Sequence, residues 1–148
     1  MTDIVVSPES AKKVYWCTYL GLINIAYTYY YRLYIPFCLY IVMLMTSLNY
    51  WKQPRYDINR VIDISWIVLF NTYQYGYCHQ IEDYYYYLYN LLLILTVILY
   101  FLGIYNLSNE YVSINYHLSC HITAHIAYYC LYIGLTLITN KSNTEDIM

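Results

Sequence analysis

The stretch YYYYLYNLLLILTVILYFLGIY, residues 84–105, decides the fold. It carries no charge and is long enough for a helix to cross the roughly 30 Å hydrocarbon core of a bilayer, which takes about 20 residues. In lipid every backbone polar group must be satisfied within the segment, so such a run reads as a transmembrane helix. Before it, the acidic turn Glu82-Asp83 marks the end of a segment at 61–78, which begins VIDISWIVLF and contains Asp63. After it, the linker 106–113 leads to a span at about 114–139. Further upstream lie the polar linker KQPRYDINR (52–60), a span at 33–51 with Pro36 in its first turn, and an apolar segment at about 14–31 ended by Arg32. Ser7-Pro8 reads as a helix start, with Ser7 as N-cap and Pro8 at the first helical position.

The expected fold is an all-α polytopic transmembrane helix bundle in a single domain. A polar N-terminal segment (1–13) precedes the membrane domain (14–139), and a polar tail, NKSNTEDIM (140–148), follows it. If the first apolar segment crosses, there are five spans; if it lies in the interface, there are four, since only Arg32 separates it from the next. Charge favours five. Lys12, Lys13, Lys52, Arg55 and Arg60 then share one side against Arg32 and Lys141 on the other, which predicts an inside N-terminus and an outside C-terminus. With four spans the same charges split almost evenly.

Composition agrees. Hydrophobic residues make up 61% of the 148 and charged residues 11%, more apolar surface than a soluble domain of this size could bury. The bilayer is the expected partner. Net charge is −2, with no basic stripe to neutralise phosphates, so no nucleic-acid partner is expected. The N-terminus begins polar and acidic, without a signal-peptide cleavage pattern. Cys17, Cys38, Cys78, Cys120 and Cys130 form no C-x-x-C pair and read as small apolar side chains. Tyrosine is extreme, at 25 residues against 3 Phe. An A/T-rich codon bias, as in a viral, organellar or protist genome, would account for the Tyr, Ile and Asn content. Tyr29, Tyr30, Tyr31, Tyr34, Tyr73, Tyr75, Tyr77 and Tyr84 to Tyr87 fall at the same end of successive spans, where they would form an interfacial belt.

The polar residues at membrane depth carry whatever chemistry the chain has, because such groups persist in lipid when paired, hydrated or used. Ser47 and Trp51 end the second span, Asp63 opens the third, and His117, His121 and His125 open the last. Chain direction brings all of these to one end of the bundle and leaves His79 at the other. In HLSCHITAH (117–125) the histidines recur every fourth residue, which stacks them about 6 Å apart along one helix face. Two such imidazoles can ligate one Zn²⁺ with help from another helix, leaving a position for water. The bound ion would lower the water pKa to about 7 for attack on an ester or amide carbonyl. Asp63 would act as orienter or general base, and Ser47 would hydrogen-bond the water. Structurally, the same histidines could bond across helices, and Asp63 could pair with Arg60 or Lys52.

The string S-L-N-Y-W (47–51), followed by Asp63 and then His117-x-x-x-His121, resembles the alkaline ceramidase and progestin/adiponectin receptor superfamily of membrane hydrolases. The resemblance implies a zinc site framed by a Ser-x-x-x-His, an Asp opening the next span and a His-x-x-x-His in the last. By position, Ser47 and Asp63 would serve catalysis, and His117 and His121 would bind metal. The substrate would be a lipid amide or ester. The family's first histidine falls on Trp51, and its usual seven spans exceed the five available here. His125 is the candidate replacement ligand, turned about 80° around the helix from His117.

Two functions follow from this reading. One is a small multi-pass membrane protein of structural role, viral or organellar. The other is a zinc-dependent membrane hydrolase, or an inactive relative of one. Haem would need facing histidines on two helices, and only the last span carries them at suitable depth. Gly21, Gly76, Gly103 and Gly134 form no G-x-x-x-G motif, and no inverted repeat points to a transporter.

Overall fold

The first helix begins where the sequence sets it. In the computed structural model, which describes residues 5–145 and side chains through residue 139, Ser7 is the N-cap and Pro8 opens α1 (Pro8–Thr18). Residues 1–4 of the polar N-terminal segment and 146–148 of the tail lie outside the described residues, as does the Lys141 side chain.

The segment expected as one span over 14–31 is two helices, α1 and α2 (Gly21–Tyr30). Thr18 Oγ1 donates back to Val14 O at 2.9 Å, a bond that bends helices, and the flexible Gly21 follows. Across the junction the bonding tightens to i→i−3, with Leu20 N–H on Cys17 O at 3.0 Å and Ile23 N–H on Leu20 O at 3.1 Å. Tyr19 and Leu20 both keep right-handed helical dihedrals, so the chain continues forward.

Helix α2 ends in a Schellman motif. Leu33 N–H reaches Thr28 O at 2.8 Å, Arg32 N–H reaches Tyr29 O at 3.1 Å, and Arg32 takes φ 60°, a conformation usually given to glycine. Then come α3 (Tyr34–Lys52), α4 (Ile58–Cys78), α5 (Asp83–Tyr105) and α6 (Glu110–Glu145). Asp57 caps α4 by accepting from the N–H groups of Asn59 (2.9 Å) and Arg60 (3.4 Å). Helix α6 starts before the expected 114 and continues into the residues expected as a polar tail.

The described chain is all-α, and three helices are long and apolar enough to cross a membrane: α3, α5 and α6 over Glu110–Thr139. This makes an integral membrane protein of it. Helix α4 is as long, but Asn59, Asp63, Asn71 and Gln74 dilute its apolar run.

Helix α6 is the axis of the bundle. Alongside it and in the same direction run α1 and α2: Ser7 N–H donates to Glu110 (3.0 Å), Asn24 Nδ2 to His125 O (3.1 Å), and Tyr27 Oη meets Thr136 Oγ1 (2.9 Å). The broken first segment therefore traverses the bundle from end to end. Helix α3 runs opposite, pairing Trp51 with His117 and Tyr40 with Tyr132. Helix α4 returns, with Asn71 on Tyr128 and Gln74 on Tyr132. Helix α5 runs down again, from the Gly134 level at Tyr85 to the Ser113 level at Gly103. One end collects the α2–α3 turn and the α4–α5 turn with exposed Tyr29, Tyr30, Tyr34, Tyr84 and Tyr87, as the belt reading expects. The other collects the N-terminal segment and both longer linkers; Val5 N–H donates to Pro54 O at 3.1 Å there.

The core is aromatic and polar. Tyr40, Phe70, Tyr89, Tyr128, Leu131 and Tyr132 pack as one cluster, with edge-on rings such as Tyr40–Phe70 (5.3 Å) and Phe70–Tyr128 (5.0 Å). Outward faces are apolar: Leu91, Ile94, Ile98 and Phe101 of α5, and Val61, Val68 and Leu69 of α4, lie exposed. In lipid such faces need no cover.

Candidate functional site

Ser47 and Trp51 lie one helical turn apart on the inward face of α3 and are both buried. Each meets a different neighbour. Ser47 Oγ donates to Asp63 Oδ1 at 2.6 Å, and Thr46 Oγ1 donates to the same oxygen at 3.3 Å. Asp63, only 4% exposed, is therefore bonded to two hydroxyls. The alternative partners do not take it: no ion pair joins it to Arg60 or Lys52 among the described residues, and Arg60 instead stacks on Tyr56 at 4.4 Å.

Trp51 faces the histidines. Its ring lies edge-on to His117 at 5.9 Å and to His121 at 6.0 Å between centroids. His117 is fixed from three further sides. Its Nδ1 bonds Ser113 O at 3.2 Å, Tyr100 stands 5.8 Å away, and the bare Cα of Gly103 on α5 lies against the ring. Ser113 Oγ in turn donates to Gly103 O at 2.8 Å, so α5 and α6 are pinned together at this level.

His125, one turn deeper than His121, belongs to a separate network. Asn24 Nδ2 donates to Tyr40 Oη at 3.1 Å, and that hydroxyl meets His125 Nδ1 at 2.5 Å. His125 Nε2 and Asn24 Oδ1 are both buried without a protein partner.

The structure thus brings Ser47 to Asp63, and His117 and His121 to Trp51, all at one end as chain direction predicts. It does not join them into one donor set. Among the described residues no three His, Cys, Asp or Glu side chains form a group that could hold a metal ion. As arranged, Trp51 stands where the resemblance calls for a third imidazole and has no lone pair to give. His125 is engaged by Tyr40, and Asp63 by Ser47 and Thr46. As placed, these side chains fall into separate networks, Ser47 with Asp63, Trp51 with His117 and His121, and Tyr40 with His125.

Compared with protein families, curated proteins and solved structures, the chain matches none.

Several partners were not read from the sequence. Asn24 and Gln74 were visible as polar residues in apolar runs, and both prove buried and bonded, Gln74 Nε2 to Tyr132 Oη at 2.8 Å. Tyr40 had no signal of its own among 25 tyrosines. Thr46, beside Ser47, escaped because a hydroxyl on a helix so often bonds its own backbone, as Thr46 also does to Met43 O at 3.0 Å.

Proposed function

We propose that this chain is a non-catalytic, multi-pass membrane protein of structural role, whose polar interior locks its helices together. Trp51 carries the reading: its indole is packed on both histidines that would otherwise be free to ligate. Every other membrane-depth polar group named for chemistry is likewise bound to a neighbouring helix. In lipid, helices gain little from burying apolar faces, so close packing and interhelical hydrogen bonds must hold the bundle. Ser47–Asp63, Tyr40–His125, Asn71–Tyr128 and Gln74–Tyr132 supply such bonds between helices.

The five-span arrangement, with the lysine-rich end inside, belongs to the same proposal. It is supported by the broken first segment running alongside α6 from Glu110 to Thr136, and by the gathering of the chain before α1 with both longer linkers at one end.

A double-mutant cycle tests the locking role. Trp51→Leu and His121→Ala should each destabilise the detergent-solubilised protein, with a coupling of about 0.5–3 kcal/mol between them. The coupling should be unchanged when a metal chelator is present. A coupling that disappears with chelator would mean that metal, not packing, joins the two residues.

A second reading has its own support. Ser47 bonds Asp63, and Trp51, in the sequence place of the ceramidase-type pattern's first histidine, packs on His117 and His121 at the same end of the bundle. The chain would then be an inactive relative of zinc-dependent lipid amide or ester hydrolases. On that reading Trp51→His gains about one zinc per chain; a variant that folds but takes up none removes the support.

A further inference from the structure

Trp51 has two sides. One faces the histidines; the other is the floor of a cleft of about 470 Å³ between α1 and the 52–55 linker, at the end of the bundle opposite the tyrosine belt. The volume falls within the roughly 300–1,000 Å³ range of small-ligand sites. Its lining is unusual for so uncharged a protein: Lys12, Lys52 and Arg55 stand around walls that include Ala11 and Trp16. That gathers three of the seven basic residues of the whole chain.

These cations have no carboxylate within ion-pair distance among the described residues, where the single ion pair is Lys13–Glu9 at 3.3 Å. Nearby acids are otherwise engaged. Asp57, which borders the far side of Lys52 and Arg55, caps the start of α4, and Glu110 accepts the N–H and the hydroxyl of Ser7. Positive charge at the edge of a mostly apolar cleft lacks only an anion with an apolar attachment.

Position names the anion. Lys52 ends α3, one of the helices suited to crossing the bilayer, so the cleft lies at headgroup depth. Trp16, 61% exposed on its wall, is a side chain typical of that boundary. We propose that the cleft binds the phosphate headgroup of one anionic phospholipid, with Lys12, Lys52 and Arg55 around the phosphate and the glycerol and upper acyl carbons along Trp16 and Ala11. The site is independent of whether the histidines ever bind metal. It also agrees with the lysine-rich end facing the leaflet where anionic lipids concentrate.

Native mass spectrometry of the full chain, released from micelles supplemented with phosphatidylserine or phosphatidylcholine, tests this. One phosphatidylserine should be retained per chain in preference to phosphatidylcholine. Lys12→Gln/Lys52→Gln/Arg55→Gln should lower that retention about tenfold. Lys13→Gln/Arg32→Gln/Arg60→Gln, which removes equal charge elsewhere, should leave it intact. Because the cleft triple could perturb the fold, the exposed Lys12→Gln is run alone and should lower retention about threefold. Equal loss in both triples, or equal retention of the two lipids, would overturn the proposal. So would binding of inorganic phosphate with the same cation dependence but no lipid retained, which would make this a free-anion site.

Discussion

Gly103→Ala should damage the protein although it adds one methyl group to a helix. That methyl would lie 2.5 Å from His117 Nδ1, 2.7 Å from its Cε1 and 3.4 Å from Ser113 O. Ordinary contact begins near 3.4 Å, so the imidazole must move by almost 1 Å. It has little room, with Ser113 O bonding its Nδ1 and with Trp51 at 5.9 Å and Tyr100 at 5.8 Å. Overpacking of this kind costs about 1–3 kcal/mol. Loss of the His117–Ser113 bond adds about 1 kcal/mol, and the better helix propensity of alanine returns about the same. The net expectation is a loss of about 2 kcal/mol. Gly76 provides the control, since a methyl there meets nothing within 4 Å, and Gly76→Ala should be neutral or stabilising by up to about 1 kcal/mol. The assay is equilibrium unfolding in mixed micelles of rising dodecyl sulfate fraction, followed by tryptophan fluorescence. Trimming the ring should rescue, so Gly103→Ala should cost much less in a His117→Ala background. If Gly103→Ala were as stable as Gly76→Ala, or equally harmful with His117 removed, the packing described for this site would be wrong.

Three further outcomes are expected. Ser47→Ala removes the 2.6 Å bond to Asp63 and leaves the buried carboxyl to Thr46 alone, and unfolding in mixed micelles should show a loss of about 1–3 kcal/mol. Tyr40→Phe keeps the ring and deletes the hydroxyl shared by Asn24 and His125; a similar loss should appear in the same assay, and none for Tyr30→Phe, which is exposed. In a cysteine-free background, Tyr56→Cys and Ser108→Cys should react with an impermeant maleimide from one side of sealed vesicles and Glu82→Cys from the other; labelling of all three from one side would contradict the alternating path of α4 and α5.

Much of the architecture could be read from residue order. Ser7-Pro8 opened α1, the long apolar runs became α3 and α5, and the tyrosines at successive span ends did gather at one end. Convergence of Ser47, Asp63 and the histidines also followed from chain direction, because helices that alternate must return their ends to the same side. The break at Tyr19–Leu20 did not follow, since it depends on Thr18 bonding back to Val14 beside a helix-weak Gly21. Partner choice was harder. Long-range attraction suggested a basic residue for Asp63, whereas the hydroxyls of the adjacent Thr46 and Ser47 on α3 reached it first. The substitution of Trp51 for a ligand was visible, but its consequence was not: only packing reveals that the indole fills the space between α3 and both histidines.

Metal content decides the central claim. The full chain would be purified in detergent without chelator, supplied with zinc, desalted, and measured beside a His117→Ala/His121→Ala variant. The histidine and tryptophan packing predicts no stoichiometric metal in either protein. About one zinc per chain in the parent, absent from the variant, would contradict it and establish the histidines as ligands.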